Sequence, residues 1–419
     1  VEELSRNVPI ARNAGAVALL APGVTSSDAA FGSIPTIGGA SAGENTYFIN
    51  GLNITKFRDF TGSSEVPFEF YQTLETKTGG YQSEFGRGTG GVLNGTTKSG
   101  GNEWEFGITA YWEPDSLRSD APDTYLANNR FDEVETTDVI IDFGGPIIRD
   151  RLFIFGLYNF RDREATNVSS GLSAPVVTND TPFYGTKIDY LINDDHRLEF
   201  TYFSDEQENV TRNTFVDANG NYTGETVSGS FKFGGENWIA RYTGIWTDWL
   251  TTSIAYGVNE YNEYATSPGD GCALITSTSP TDPRRGCWGN GQPSVNEDER
   301  TVFRADVNIY ADFFGSHSFK FGLDQETLES YQALDYSGAG YNYCRPGGIT
   351  PTIACTGSVT GGIWYRYQTH DATGPTRVRI RAYDNDGGWE SVQNAYYIQD
   401  SWQVTDQLTL TLGLRNEGF

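Results

Sequence analysis

The chain of 419 residues carries 55 Asp and Glu against 29 Lys and Arg, a formal net charge of −26. That balance excludes nucleic acid as a partner, because phosphate binding needs clustered Lys and Arg. No apolar run reaches the roughly 18 residues a membrane-spanning helix requires. A mean hydropathy of −0.46 is still compatible with a membrane barrel, whose strands turn only alternate residues to lipid.

Residues 1–101 are glycine-rich and irregular. ELSRNVPIARNAGAVALLAP (3–22) predicts one or two short helical turns that Pro22 and Gly23 stop. Short β-prone pieces follow, NTYFING (45–51) and FYQTLETKTGG (70–80). GRGTGG (86–91) lacks the GKS or GKT and the following helix of a phosphate-binding loop. Its glycines suit a backbone that turns tightly in a confined space. No charged and apolar leader pattern precedes this segment, so a signal peptide is expected to be already removed or outside the sequence.

From Asn102 onward, eleven runs have strand-like patterning: 103–112, 134–144, 151–161, 181–192, 196–205, 237–246, 249–260, 299–311, 317–329, 389–402 and 406–416. Their lengths, roughly 9–13 residues, match a tilted strand crossing a bilayer. The connections alternate long and short throughout. The short ones are GGPIIRDR, NDDH, Thr247–Asp248, DFFGS and VTD. Short turns on one rim and long loops on the other are the pattern of an outer-membrane barrel, and nothing requires it of a soluble sandwich.

Within the strands, Phe303, Ala305, Val307, Ile309 and Ala311 alternate with Arg304, Asp306, Asn308 and Tyr310. Leu408, Leu410, Leu412 and Leu414 alternate with Thr409, Thr411, Gly413 and Arg415. Period-2 alternation assigns one set to lipid and the other to a polar lumen. The third strand, RLFIFGLYNF, is apolar on both faces and is not oriented by this argument. Trp104, Trp246, Trp249 and Trp402 fall at the short-turn rim, and Trp112, Trp238 and Trp389 at the other, as two interfacial girdles would place them.

Four cysteines fall as two local pairs inside two long loops. Three connectivities are formally open; the within-loop set, Cys272–Cys287 and Cys344–Cys355, needs the least chain closure and suits an oxidising compartment. Spacings of this kind do not match a zinc site. DANGNYTGE (217–225) and YDNDGGWE (383–390) are carboxylate-rich and Gly-turned, suggesting loop-bound Ca²⁺. Their spacing departs from a calcium loop and favours ordinary Asx-turns. Divalent cations would also bridge the acidic surface to lipopolysaccharide, although solvated acidic loops account for the charge. No nucleophile-elbow or zinc-protease motif occurs, and the scattered loop carboxylates form no acid/base pair.

The ordered series LSRNVPIARN, LLAPGV, NTYFINGLNI and VPFEFYQTLETKTGGYQSEFGRGTGGVLNGTTKSGGNEWEFG resembles the plug of TonB-dependent outer-membrane transporters. It is most similar to the Oar-like branch, in which TGGYxAEFGRxxGGVxNxxTKSGxNxxHG leads into the first wall strand. The likeness is dense over 45–107 and continues as barrel-like patterning to the end. Asn50-Gly51 replaces the family's Asp-Gly turn, and Trp104 replaces its His. The plug motif maps onto Asn50, Gly51, Gly79, Gly80, Glu84, Gly86, Arg87, Gly90 and Gly91.

The resemblance implies an all-β membrane protein: an antiparallel transmembrane β-barrel with a globular plug (1–101) in the lumen and wall strands from 102 to 419. Bacterial single-chain barrels have even strand counts, and about 22 strands is the size class of plugged transporters. Eleven strands are therefore expected to be the first half of the wall, with the rest in another chain, cleaved but retained, or beyond this sequence. The plug's N-terminal part, including any TonB box, is expected to be missing.

The implied function is energy-dependent uptake of a large scarce solute (peptide, glycan or metal-chelate), without covalent chemistry. The implied partners are the TonB–ExbB–ExbD complex, outer-membrane lipid and lipopolysaccharide, and a surface accessory protein. Substrate contacts are expected at Phe57, Arg58, Asp59 and Phe60 of the plug and at Trp364, Tyr365, Arg366 and Tyr367 of a long loop, aromatic rings stacking and guanidinium groups meeting carboxylates. Glu84 and Arg87 are expected to pair with wall charges across a releasable polar interface rather than a welded apolar core. An adhesion or protein-export role, with the loops as a docking surface, is the alternative.

Overall fold

The computed structural model describes residues 8, 11–27, 34–119, 121–225, 229–266, 274–277, 294–335, 342–347, 352–358, 363–368, 377–382 and 384–419, with backbone only for 274–277 and between 335 and 385. In the N-terminal part, Asn13 caps α1 (Ala14–Ala18), its side chain accepting from the Ala16 amide at 2.8 Å. β1 (Val24–Ser26) pairs antiparallel with β2 (Pro35–Ile37). β3 (Thr46–Ile49), β4 (Leu52–Asn53), β5 (Tyr71–Lys77) and β6 (Val92–Thr97) form a sheet ordered β4-β3-β6-β5. Asn50 and Gly51 turn β3 into β4 with φ of +49° and +85°, a left-handed pair that Asn-Gly adopts with little strain.

The remaining strands are β7 (Glu105–Glu113), β8 (Glu133–Ile148), β9 (Leu152–Thr166), β10 (Ser173–Asn179), β11 (Phe183–Asn193), β12 (His196–Ser204) and β13 (Gln207–Val216). They continue with β14 (Tyr222–Glu225), β15 (Gly229–Gly234), β16 (Glu236–Thr247), β17 (Leu250–Glu260), β18 (Asn262–Thr266), β19 (Leu274–Ser277), β20 (Ser294–Asp312) and β21 (Ser316–Asp335). Last come β22 (Asn342–Gly347), β23 (Thr352–Ser358), β24 (Ile363–Gln368), β25 (Arg377–Ala382), β26 (Asp384–Thr405) and β27 (Leu408–Gly418). A 16-stranded antiparallel sheet takes up β7–β18 together with β20, β21, β26 and β27. β19, β24 and β25 make a separate small sheet, and β22 pairs with β23.

Four wall strands are broken part-way, at 180–182, 205–206, 235 and 261. Their two halves keep the same neighbours, β9-β11-β12-β16-β17-β20 below the breaks and β9-β10-β13-β15-β18-β20 above. Followed across the breaks, with β14 as a loop strand on β13, the sheet is a wall of eleven strands joined in the predicted order. β7 pairs with β8 alone and β27 with β26 alone among the described residues.

The strands run further than the sequence reading expected. β20, β21 and β26 are 19, 20 and 22 residues long. β10, β13, β15 and β18 occupy stretches read as loop. Above the lipid both wall faces meet water, so the apolar alternation that marks a strand disappears while backbone pairing continues.

Face assignments follow the alternation. Leu412 and Leu414 stand exposed on the outer face, while Arg415 reaches inward to Asp324 at 2.9 Å. Trp104, Trp112, Trp246 and Trp249 are exposed. Trp389 is a correction. It sits in register with Ser330 and meets the plug ring of Phe57 edge-on at 5.8 Å, so it faces the lumen and not lipid. Glu260, Glu299, Glu329 and Glu390 face one another in one cross-strand row, on the face opposite Asp298 and Arg300.

A single apolar cluster runs through plug and wall. Ile37, Ile49, Leu52, Phe70 and Leu93 of the plug join Ile140, Phe155, Leu157, Phe183, Phe203 and Ile239 of the wall. Phe70 lies 5.5 Å from Phe183 and 6.1 Å from both Phe155 and Phe203. The expectation of a polar plug interface rather than a welded apolar core is therefore corrected in part: along β9, β11 and β12 the interface is apolar. This also explains the third strand, whose inward Phe155 and Leu157 meet the plug while Tyr158 and Phe160 face out.

Candidate functional site

The plug meets the wall along a second, ionic seam formed by residues 83–87. The Glu84 carboxylate accepts from Arg304 and, at 2.7 Å, from Lys320 Nζ. Arg87, held at φ +61°, donates to Asp324 Oδ2 at 2.8 Å and Glu326 Oε1 at 3.0 Å. Arg415 donates to the carbonyls of Ser83 and Glu84, both at 3.2 Å. Burial pushes the Glu84 carboxyl up, but Arg304, Lys320 and Lys77 outweigh it and hold it below the ordinary glutamate range. A cavity of about 300 Å³ adjoins this seam, lined among others by Asn50, Glu84, Glu199, Arg241, Arg304 and Lys320.

The glycines of the motif explain why this loop is shaped as it is. Gly79 and Gly80 form the turn that leaves β5. Gly86 lies against Arg415 and Glu417, and Gly91 against Ile37. A Cβ on Gly90 would stand 2.7 Å from Asn45 Oδ1, so the loop can approach the β3 end only as bare backbone.

The plug apex, residues 53–66, hangs from the line where the wall strands break. Arg58 makes a two-pronged contact with Asp298, Nε to Oδ2 at 2.9 Å and Nη2 to Oδ1 at 2.6 Å, and also donates to Ser330 Oγ and Tyr331 O. Arg300 donates to the carbonyls of Asn53 and Thr55 at 3.1 and 2.7 Å. Asp205, buried in the β12–β13 break, accepts from the amides of Glu65 and Gly235 and from Asn237 Nδ2. Asn259 Nδ2 donates to Ser64 Oγ at 3.2 Å.

Of the plug residues expected to touch substrate, Phe57 is buried against Trp389, and Arg58 is bound to the wall. Asp59 and Phe60 are exposed at the apex. Trp364, Tyr365, Arg366 and Tyr367 lie on β24, parallel to β19, and their side chains fall outside the described residues. The sequence reading missed Asp205, Asn259, Asp298 and Arg300. For Asp298 and Arg300 the signal was present in the alternation of NEDERTVFRAD (296–306), where both share the lumen face with Arg304; Asp205 and Asn259 carried no such signal.

Cys272 and Cys287 lie outside the described residues; Cys344 and Cys355 face each other in the β22–β23 backbone register, with side chains outside them. In the 217–225 loop, Asp217 Oδ1 accepts from the Asn219 and Asn221 amides at 2.8 and 2.9 Å, an Asx-type turn.

Residues 164–419 match the outer membrane beta barrel domain family. The chain belongs to that family. It is therefore a bacterial outer-membrane protein, and the long antiparallel wall is its membrane-spanning part. The TonB-dependent transporter Oar of Myxococcus xanthus is 25% identical over 516 aligned positions, covering 99% of this chain and 46% of that protein. The outer-membrane transporter YddB of Escherichia coli superposes with a TM-score of 0.70 at 12% identity, over 100% of this chain and 55% of that one. The siderophore receptor PirA of Acinetobacter baumannii gives 0.60 at 16%, over 99% and 55%. The likeness to TonB-dependent transporters read from the plug motif is borne out. This barrel chain spans about half the length of the relatives it matches.

Proposed function

We propose that this chain is the plug and first part of the wall of a TonB-dependent transporter that carries a scarce solute across the outer membrane. The observation that supports this most is the ionic seam at Glu84 and Arg87. It ties a glycine-rich plug loop to β20 and β21 through charge pairs, and to β27 through Arg415 hydrogen bonds to plug carbonyls, beside a polar cavity. These pairs are largely buried, so the seam can part only as water from the adjoining cavity rehydrates both partners, whereas the apolar seam on β9, β11 and β12 has no aqueous substitute. Pulling by the TonB–ExbB–ExbD complex on the periplasmic side would open the ionic seam first.

β7 and β27 each leave one edge unpaired among the described residues, and lipid does not tolerate open edges, which supports a wall continued by further strands. Peptides, glycans and metal-chelates all remain candidate solutes. PirA is named a siderophore receptor, which places chelates among the probes to try. No covalent step is proposed.

The test is uptake by the full-length protein in its host with TonB present or removed. Candidate peptide, oligosaccharide and ferric-chelate solutes would each serve as sole nutrient source. The reading expects growth on at least one solute to need both this protein and TonB. Uptake that persists without TonB refutes it, and loss of cell or protein adherence instead of uptake would favour a surface-docking role for the tall extracellular wall.

A further inference from the structure

A second cavity, of about 460 Å³, lies between the plug and wall strands β8 and β9, away from the ionic seam. Plug loop 61–69, the α1 cap and Lys56 form one side; Asp138, Ile140, Asn159 and Arg161 form the other. Its volume falls within the roughly 300–1,000 Å³ of small-molecule sites.

One buried wall atom is unsatisfied there, and a half-buried guanidinium beside it makes no ion pair among the described residues. Asn159 is 4% exposed, and its Oδ1 has no hydrogen-bond partner among the described residues. Its Nδ2 is turned to Asp138 Oδ1 at 3.5 Å, which leaves the oxygen facing elsewhere. A buried polar atom of this kind normally has a partner. Arg161 stands directly across from Asp138 in the β8–β9 register. The Asp138 carboxylate, however, reaches Arg12 at 3.9 Å, and no ion pair or hydrogen bond to Arg161 occurs among the described residues. The Arg161 guanidinium lies 5.9 Å from the Phe183 ring and feels the charges of Asp138, Glu65 and Asp205 without a direct contact to any of them among the described residues. Lys56 places its ammonium 4.0 Å over the Tyr261 ring, with no carboxylate ion pair among the described residues. Asn159 and Arg161 are two residues apart on one strand and so share the lumen face.

We propose that this cavity is a subsite for a solute carboxylate flanked by a hydrogen-bond donor. The carboxylate meets the Arg161 fork, which presents parallel N–H donors matched to two carboxylate oxygens. The adjacent N–H or O–H donates to Asn159 Oδ1. The last residue of a peptide and a uronic-acid sugar both carry that pair of groups. The inference rests on the uptake reading for delivery of the solute, but binding itself needs no energy source.

The experiment is titration calorimetry on the purified full-length protein with trialanine, trialanine amide, digalacturonate and its methyl ester. At least one free acid should bind, with its neutral counterpart at least tenfold weaker. Arg161→Gln should weaken the free acid at least tenfold and change the neutral form less than twofold. Arg161→Lys, which keeps the charge but loses the fork, should fall between and serves if the Gln variant fails to fold. Binding by trialanine identifies a peptide source, and binding by digalacturonate a uronic-acid source. Failure of both acids to bind, equal binding of the neutral forms, or unchanged affinity in Arg161→Gln overturns the subsite and means that Asn159 is satisfied by water alone. None of these outcomes depends on TonB, so they are separable from failure of the uptake reading.

Discussion

Phe70 decides how firmly the plug is held. Its ring is buried against Phe155, Phe183 and Phe203, which belong to three different wall strands. Truncating such a residue costs about 3–5 kcal/mol, because the lost transfer energy and the residual cavity add. The upper part of that range applies, since no single side-chain movement can close a space walled by three paired strands. With about 1.4 kcal/mol per tenfold, Phe70→Ala should shift docked against undocked plug by roughly 10³-fold or somewhat more. Hydrogen exchange of the full-length protein, followed by mass spectrometry over β3–β6, reads this directly. Exchange should accelerate across the whole Thr46–Thr97 sheet by that factor. Gly185→Ala approaches the same contact from the wall, where its Cβ would stand 2.7 Å from Phe70 Cζ, and should act in the same direction. Acceleration below tenfold, or confined to Phe68–Tyr71, would show that the apolar seam does not hold the plug as a unit.

Further outcomes follow from other named contacts. Arg58→Ala strands Asp298, a nearly buried carboxylate, and should cost about 3–5 kcal/mol in thermal or chemical unfolding; Asp298→Asn in the same background should recover part of it, and no recovery would exclude the pair as the cause. Because the Glu84 pKa is depressed in the folded protein, its contribution is present above the ordinary glutamate pKa and is lost as pH falls through the folded value. Exchange protection of residues 81–91 should therefore drop in that acidic window in the native protein, and Glu84→Gln should flatten the dependence. Like charges directly opposed across strands are unfavourable, so Glu299→Gln should raise the melting temperature in detergent with chelator, and calcium should narrow the gap. Cys344 and Cys355, opposed in register, should resist thiol labelling until reduced; labelling without reductant would disprove the bridge.

Much of the wall was legible in the sequence because period-2 alternation is forced wherever one face meets lipid and the other a polar lumen. Leu408–Leu414 and Arg304–Asn308 show this plainly. Above the lipid that contrast disappears, and β10, β13, β15 and β18 were read as loop. Trp389 misled for a related reason: height along a strand places a Trp at a rim, but only register decides its face. The ionic seam could be anticipated from Glu84 and Arg87. The apolar seam could not, because Phe70 and the two-sided RLFIFGLYNF strand make sense only once they are set against each other.

The unequal fastening of the plug has a consequence for the cell envelope. A stopper anchored by greasy contacts along β9, β11 and β12, and by charges along β20, β21 and β27, would swing rather than leave. What it would uncover is a slot beside the charged flank, never the full bore. On the proposed uptake reading, clearance is set by slot width, so the envelope admits one bulky nutrient while staying shut to toxic compounds that a wide-open barrel would let through.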